Sequence, residues 1–92
     1  MTYDDLLPKR IIKINTPEQV FLLDKIINKY LPDTDVDVRR GRYQVSARSV
    51  LGVLSLDLSQ PITAVLQSTS EQDANNFTIA IDEFEEQQQT DN

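Results

Sequence analysis

Histidine, cysteine and tryptophan are all absent from this 92-residue sequence, and only two glycines occur. The lack of cysteine excludes disulfides and thiolate chemistry, and it fits a cytoplasmic protein. The lack of histidine removes the imidazole that could act as a nucleophile or a metal ligand. No apolar run reaches the length of a membrane-spanning helix, and the first residues lack the apolar core of a signal peptide. We therefore expect one small cytoplasmic domain without a cofactor or a membrane segment.

Basic side chains are missing from the second half of the chain. All nine Lys and Arg residues lie between Lys9 and Arg48, whereas residues 49–92 carry eight acidic side chains. Such an acidic segment disfavours nucleic acid as a partner, because the affinity of a protein for nucleic acid depends mainly on basic residues that neutralise phosphates. The acidic pairs, for example Asp35 and Asp37, lack the Asp-x-Asp-x-Asp-Gly spacing of a calcium loop. We therefore expect protein partners, with neither a metal site nor a nucleic-acid site.

The first third of the chain predicts a strand and a helix. Residues 1–8 show no clear period, so we predict a loosely packed lead-in. Residues 9–14 carry isoleucines at alternate positions, which is typical of a strand. Thr16 at the N-cap position is followed by proline, and Gln19 can complete a capping box. These signals predict a helix over residues 17–30.

The middle of the chain predicts a β-hairpin and a further strand. Apolar and polar residues alternate over residues 33–39, and Gly41 marks the turn. The returning strand is predicted to point Tyr43 and Val45 towards the core. A fourth strand is predicted over residues 62–67.

The last segment predicts a helix followed by a polar tail. Ser70 has the position of an N-cap before an apolar stripe of helical spacing. From position 85 only Glu, Gln, Thr, Asp and Asn occur, so we predict a fraying helix end or a disordered tail. The predicted organisation is a lead-in over 1–8, a domain over 9–84 and an acidic, polar tail over 85–92. The element order β-α-β-β-α-β-α predicts an α+β domain with one antiparallel sheet and its helices on one face.

The run from Ser49 to Leu56 is the most informative one in the chain. It reads Ser-Val-Leu-Gly-Val-Leu-Ser-Leu, a serine N-cap before a short helix that is apolar on every side. A helix of about two turns cannot bury every face against one sheet, so some side chains should form an exposed contact surface. We assign Val53 and Leu56 to the core. Burial and exposure both stay open for three others: Val50, Leu51 and Leu54.

The same run resembles the regulatory-serine helix of the HPr family, the histidine-containing phosphocarriers of the bacterial sugar phosphotransferase system (PTS). The family pattern is serine, two large aliphatic residues, glycine, two more aliphatics, serine or threonine, and leucine. The resemblance extends from about Arg10 to Phe84. It implies an HPr-like two-layer open-faced sandwich, with strand order 1-4-2-3 and three helices on one face of the antiparallel four-stranded sheet.

The histidine that carries phosphate in that family is missing here. Alignment of the first helix places Thr16 at the histidine position and Glu18 where the family has an arginine. Threonine has no ring nitrogen to form a phosphoramidate, and a carboxylate replaces the guanidinium that binds phosphate. We therefore expect no histidine phosphotransfer and interpret Thr16 as a plain helix cap.

Ser49, in contrast, matches the family motif. In HPr proteins of low-GC Gram-positive bacteria the corresponding serine is phosphorylated by a dedicated kinase and takes part in carbon-catabolite control. The resemblance implies that Ser49 is a phosphorylation site, with Arg48 adjacent to pair with the phosphate. It also implies that Val50, Leu51 and Leu54 form an apolar docking patch for partner proteins. The alternative is that Ser49 only caps its helix.

Four arginines cluster around the predicted hairpin. They are Arg39, Arg40, Arg42 and Arg48. Their pattern fits a solvated hairpin that balances nearby acidic residues. It also fits a docking site for an acidic protein surface, and the sequence leaves both interpretations open.

The leading hypothesis is a non-catalytic, HPr-like regulatory or adaptor module that binds proteins through the Ser49 helix. The implied partners are PTS components, a serine kinase or a transcription regulator. The alternative is a phosphoacceptor or phosphocarrier in a PTS-related chain that uses Ser49 or Thr16. A third hypothesis is a structural module that contributes only an oligomer interface.

Overall fold

The structure is a computed structural model that describes residues 1–90. A short 3-10 turn, Tyr3–Leu6, precedes the first strand and is called the N-terminal turn below. The strands and helices that follow are β1 (Lys9–Ile12), α1 (Glu18–Tyr30), β2 (Val36–Arg40), β3 (Tyr43–Ser46), α2 (Val50–Leu54), β4 (Ile62–Leu66) and α3 (Glu71–Thr90).

The four strands form one antiparallel sheet in the order β1-β4-β2-β3. The central strands β4 and β2 are paired from Val36↔Leu66 to Arg39↔Thr63. Helix α1 packs against α2 and α3, while α2 contacts β3 and α3 contacts β4. The α+β class, the strand order and the placement of the three helices are therefore confirmed.

The core lies between this sheet and the three helices. On each strand, alternate side chains point to the helices because successive residues face opposite sides of a sheet. Each large apolar side chain buried in this way contributes about 1.5–3 kcal/mol. The largest fully buried side chains in the core include Ile12, Leu23, Ile27, Val36, Leu66, Phe77, Ile81 and Phe84.

The N-terminal turn crosses the other face of the sheet, where a few contacts hold it although most of its residues are exposed. Val65 lies between two inward-facing residues of β4 and therefore points outward, yet it is fully buried outside the main core cluster. Leu7 is also buried outside that cluster. The Asp4 carboxylate pairs with the guanidinium of Arg39 on β2. The chain before β1 must cross β4 to make this contact, which explains why Val65 is covered.

Helix α3 includes most of the segment that was predicted to fray or to be disordered. The Gln88 side chain donates hydrogen bonds to the Lys13 carbonyl and, at 2.9 Å, to Gln19 Oε1. Arg10 Nη2 lies 2.7 Å from Glu85 Oε1. These contacts hold the last turns of α3 against β1 and the start of α1, so the helix is continuous and packed beyond residue 84. Residues 91–92, the rest of the predicted tail, lie outside the described residues.

The contact between Asp4 and Arg39 makes the N-terminal turn sensitive to pH. The hydrogen bond from Arg39 is the largest cause that lowers the pKa of Asp4 below its usual value. A carboxyl group with a lowered folded-state pKa stabilises the fold above its unfolded pKa of about 3.9, and this contribution is lost as the pH falls through the folded pKa. We therefore expect Asp4→Asn to lower the melting temperature at pH 7, and the difference from wild type to shrink below about pH 4.

Thermal unfolding followed by circular dichroism, at pH 7 and below about pH 4, measures this difference in melting temperature. Asp33→Asn removes a carboxylate from an exposed position and is the matched control. A difference between Asp4→Asn and wild type that is the same at both pH values would contradict an ionic role for Asp4.

Candidate functional site

Helix α2 begins directly after the hairpin, and Ser49 is its N-cap. Ser49 Oγ accepts a hydrogen bond of 3.2 Å from the Gly52 backbone N–H. This bond satisfies one of the free N–H groups in the first turn, as an N-cap serine does. The predicted cap is therefore confirmed, and the Ser49 residue itself is exposed.

Gly52 allows α2 to lie close to the sheet. A Cβ atom at this position would be 2.8 Å from Ser49 Oγ and 3.3 Å from the Val45 Cβ. Any larger residue would push against both the cap and strand β3. The glycine therefore preserves the Ser49 hydrogen bond and the approach of α2 to β3 together.

The apolar residues of α2 divide into buried and exposed sets. Val53 is fully buried and Leu56 is buried just beyond the helix, so both core assignments are confirmed. Val50 is partly buried and packs against the core. Leu51, in contrast, is 83% exposed and Leu54 is 37% exposed. The two leucines are three positions apart and therefore lie on the same side of the helix.

Arg48 is bound to the end of α1 and does not face Ser49. Its Nε donates to Asn28 Oδ1 at 2.8 Å and its Nη1 donates to the Thr34 carbonyl at 2.9 Å. Its Nη2 donates to the Leu31 carbonyl. Free carbonyls at a helix C-terminus attract cations, which accounts for this placement. All three guanidinium nitrogens are thus engaged, and this geometry gives no support to the expectation that Arg48 pairs with a phosphate on Ser49.

Thr16 does not cap α1 with its side chain, so this prediction was wrong. The helix begins at Glu18, and its N-cap position is Pro17, which makes no side-chain cap. The predicted capping box is replaced by a different bond, in which Gln19 Oε1 accepts from the Asn15 backbone N–H at 2.8 Å. Gln19 is buried and also receives the hydrogen bond from α3 described above, which holds its amide away from Thr16. Thr16 itself is exposed.

Phe21 is an exposed aromatic residue of α1 that the sequence patterns did not single out. It is 57% exposed and lies about 100° around α1 from the buried Val20. Asn28 is two turns further along the same side of α1 and contacts Arg48, just before α2. At the other end of α1, residues 16–17 share a small pocket with residues 58–59, just after α2. Along α1, Phe21 lies between these two places, where α1 approaches the segments just before and just after α2.

We call Phe21, Leu51 and Leu54 the helix patch. The only sequence signal for Phe21 was an aromatic residue outside the buried stripe of α1. Such a residue gains little from folding and is a candidate for binding.

The four arginines of the predicted basic cluster do not form one surface. Arg39 pairs with Asp4 across the outer face of the sheet, and its Nε donates to Gln44 Oε1 at 2.9 Å. Arg48 is bound at the end of α1. Arg40 and Arg42 instead line a pocket at the tip of the hairpin.

Comparison with protein-family models, curated proteins and solved structures finds no significant match to this chain. Over residues 1–90, no helix is both long and apolar enough to cross a membrane. Nor does this part of the chain bring three or more metal-binding side chains together.

The exposure of Leu51 predicts a strong contrast with its neighbour Val53. Leu51→Glu should change the free energy of unfolding by less than about 1 kcal/mol, because the new charge stays in water. Val53→Glu should lower it by about 4 kcal/mol or more, because an unpaired carboxylate would enter the core. Urea denaturation of both variants measures the difference. A comparable loss of stability in Leu51→Glu would place that side chain in the core.

Proposed function

We propose that this chain is a divergent HPr-like protein that acts as a non-catalytic regulatory or adaptor module and docks partner proteins on the helix patch. The observation that carries the proposal is the 83% exposure of Leu51 on a helix whose Val53 is fully buried. PTS components, a serine kinase or a transcription regulator are the partners that the resemblance suggests.

The composition of the helix patch supports a docking role. A single exposed leucine is ordinary on a protein surface. Two exposed leucines on one side of α2, together with an exposed phenylalanine on the neighbouring helix α1, are apolar surface of the kind that marks interaction sites. Aromatic side chains are also enriched among the residues that dominate binding energy. The helix patch therefore suits the apolar centre of a small protein–protein interface.

Ser49 is positioned to control this surface. Ser49 is an exposed residue directly before the patch, and among residues 1–90 its hydroxyl oxygen makes one hydrogen bond, as the cap of α2. Phosphorylation would add about two negative charges at that point and alter the cap. Arg48 would not neutralise them, because its guanidinium is bound to the end of α1. Modification of Ser49 would thus change the charge beside the docking leucines.

Photo-crosslinking tests the docking surface directly. A photoreactive amino acid at position 51 should crosslink a specific partner in cells that express the protein. The same residue at position 11 is the control, because Ile11 is 71% exposed but lies on β1 and faces the outer side of the sheet. We expect Leu51→Glu to weaken binding of the identified partner by at least about tenfold, because a charge would be buried at the interface.

Two results would contradict the proposal. One is equal crosslinking of the same protein from positions 51 and 11. The other is unchanged affinity in Leu51→Glu. Crosslinks that join two copies of this chain through position 51 would instead favour the structural module.

The phosphocarrier alternative has one observation in its favour, since Ser49 and Thr16 are both exposed. We nevertheless expect no acid-labile phosphoprotein after incubation with phosphoenolpyruvate and the general PTS enzyme, because the chain has no imidazole. Intact-mass spectrometry before and after acid treatment measures the outcome. An acid-stable phosphate that disappears in Ser49→Ala or Thr16→Ala would support the alternative.

A further inference from the structure

A pocket of about 660 Å³ lies at the tip of the hairpin and is separate from the helix patch. One wall is the inner side of the hairpin, where Arg40 is paired with Tyr43 across the two strands. The opposite wall is the connector after α2, with Leu56 and Asp57. None of the helix-patch residues lines this pocket.

The pocket exists because the helical layer ends before the sheet does. Tyr43 is on the inner face, as predicted, but it is 72% exposed because α2 stops at Leu54 and does not cover the hairpin tip. Gly41 supplies the tight turn with φ of 61°, a left-handed conformation that favours glycine. Val45 and Leu56 are the aliphatic residues of the pocket lining, and we call them the apolar floor.

Two guanidinium groups at this pocket have no ion-pair or hydrogen-bond partner among residues 1–90. These are Arg40 and Arg42, in contrast to the engaged Arg39 and Arg48. The Nε atom of Arg40 is shielded from water and has no acceptor. A guanidinium stays charged at any physiological pH, and buried donors nearly always have an acceptor. The hydrogen-bonding capacity of these groups is therefore unused by the protein.

One acidic residue shares the pocket, and its carboxylate is already engaged. Asp57 Oδ1 accepts from the Ser59 hydroxyl at 2.5 Å and from the Ser59 backbone N–H at 3.1 Å. These hydrogen bonds are the main reason why the pKa of Asp57 is lowered, with a smaller effect from Arg40. The pocket thus presents two positive charges against one negative charge, in a protein with a net charge of −6.

We propose that this pocket binds a small organic phosphate monoester. The phosphate would lie between Arg40 and Arg42, and the organic part would contact the Tyr43 ring and the apolar floor. A phosphate monoester carries about −1.5 to −2 charge. Two guanidinium groups therefore suit it better than they would suit a ligand with a single carboxylate. The pocket volume is within the range of about 300–1,000 Å³ that is typical of small-molecule sites.

NMR titration tests the proposal with phenyl phosphate as the probe. We expect saturable shifts of the Tyr43 and Asp57 backbone amides and of the two arginine Nε–H signals. Inorganic phosphate should bind more weakly, because it lacks the part that contacts the tyrosine ring. Equal affinity for both probes would overturn the proposed contact with Tyr43.

Charge variants distinguish a specific site from general attraction of anions. Arg42→Gln should weaken phenyl phosphate binding about tenfold without loss of fold, because Arg42 is exposed. Lys25→Gln removes the same charge from an exposed position outside the pocket and should change nothing. Asp57→Asn should strengthen the binding of phenyl phosphate, because it removes the one negative charge in the pocket that repels the phosphate.

Equal losses in Arg42→Gln and Lys25→Gln would overturn the proposal, as would shifts spread over all basic residues. If a phosphotyrosine peptide binds this pocket more tightly than phenyl phosphate does, the proposal of a small-molecule ligand is wrong and the ligand is a phosphorylated protein.

Discussion

The position of α2 depends on one side chain, Arg48. Its guanidinium joins the last residues of α1 to the loop before β2 through Asn28, Leu31 and Thr34. Because Arg48 immediately precedes the Ser49 cap, these bonds fix both the place and the rotation of a helix that is too short to be stable by itself. With the rotation fixed, Val53 enters the core and the leucines of the helix patch point to water. The family resemblance implied that Arg48 binds phosphate. In the structure its hydrogen bonds instead connect α2 to the end of α1 and help to orient the exposed leucines.

Local sequence patterns predicted the sheet and the three helices, because strand alternation and N-caps are encoded by neighbouring residues. The contacts made by the two ends of the chain were not predicted, and the cause was the same at both. Asp4 pairs with Arg39 and Gln88 binds Gln19, and neither contact leaves a periodic signal. A polar segment is ordered when distant partners satisfy its side chains, and composition alone contains no information on those partners.

The candidate site shows the same limit at the scale of one helix. The Ser49 cap followed from its place before an apolar run, but all the large residues of α2 are aliphatic, so periodicity could not separate Leu51 from Val50. Only the three-dimensional position of α2 made that separation. The capping box at Thr16 failed because Gln19 was buried by α3, a helix more than fifty residues away in sequence. Exposed and functional positions are therefore the ones that depend most on long-range packing.

The fold also gives a role to the confinement of every basic residue to positions 9–48. Helix α3 carries none, and it packs against β1 and α1, where Arg10 meets Asp82 and Glu85. Lys29 likewise lies 3.2 Å from Glu83. Basic and acidic residues that are separated along the sequence thus pair in space, because acidic α3 packs against basic residues of β1 and α1. The N-terminal turn does the same on the outer face of the sheet. Arg40 and Arg42 are left out of this pairing, since the hairpin tip extends beyond both the helices and the turn. These two cations line a pocket and form no ion pair among residues 1–90, so a bound anion explains their placement better than a contribution to stability does.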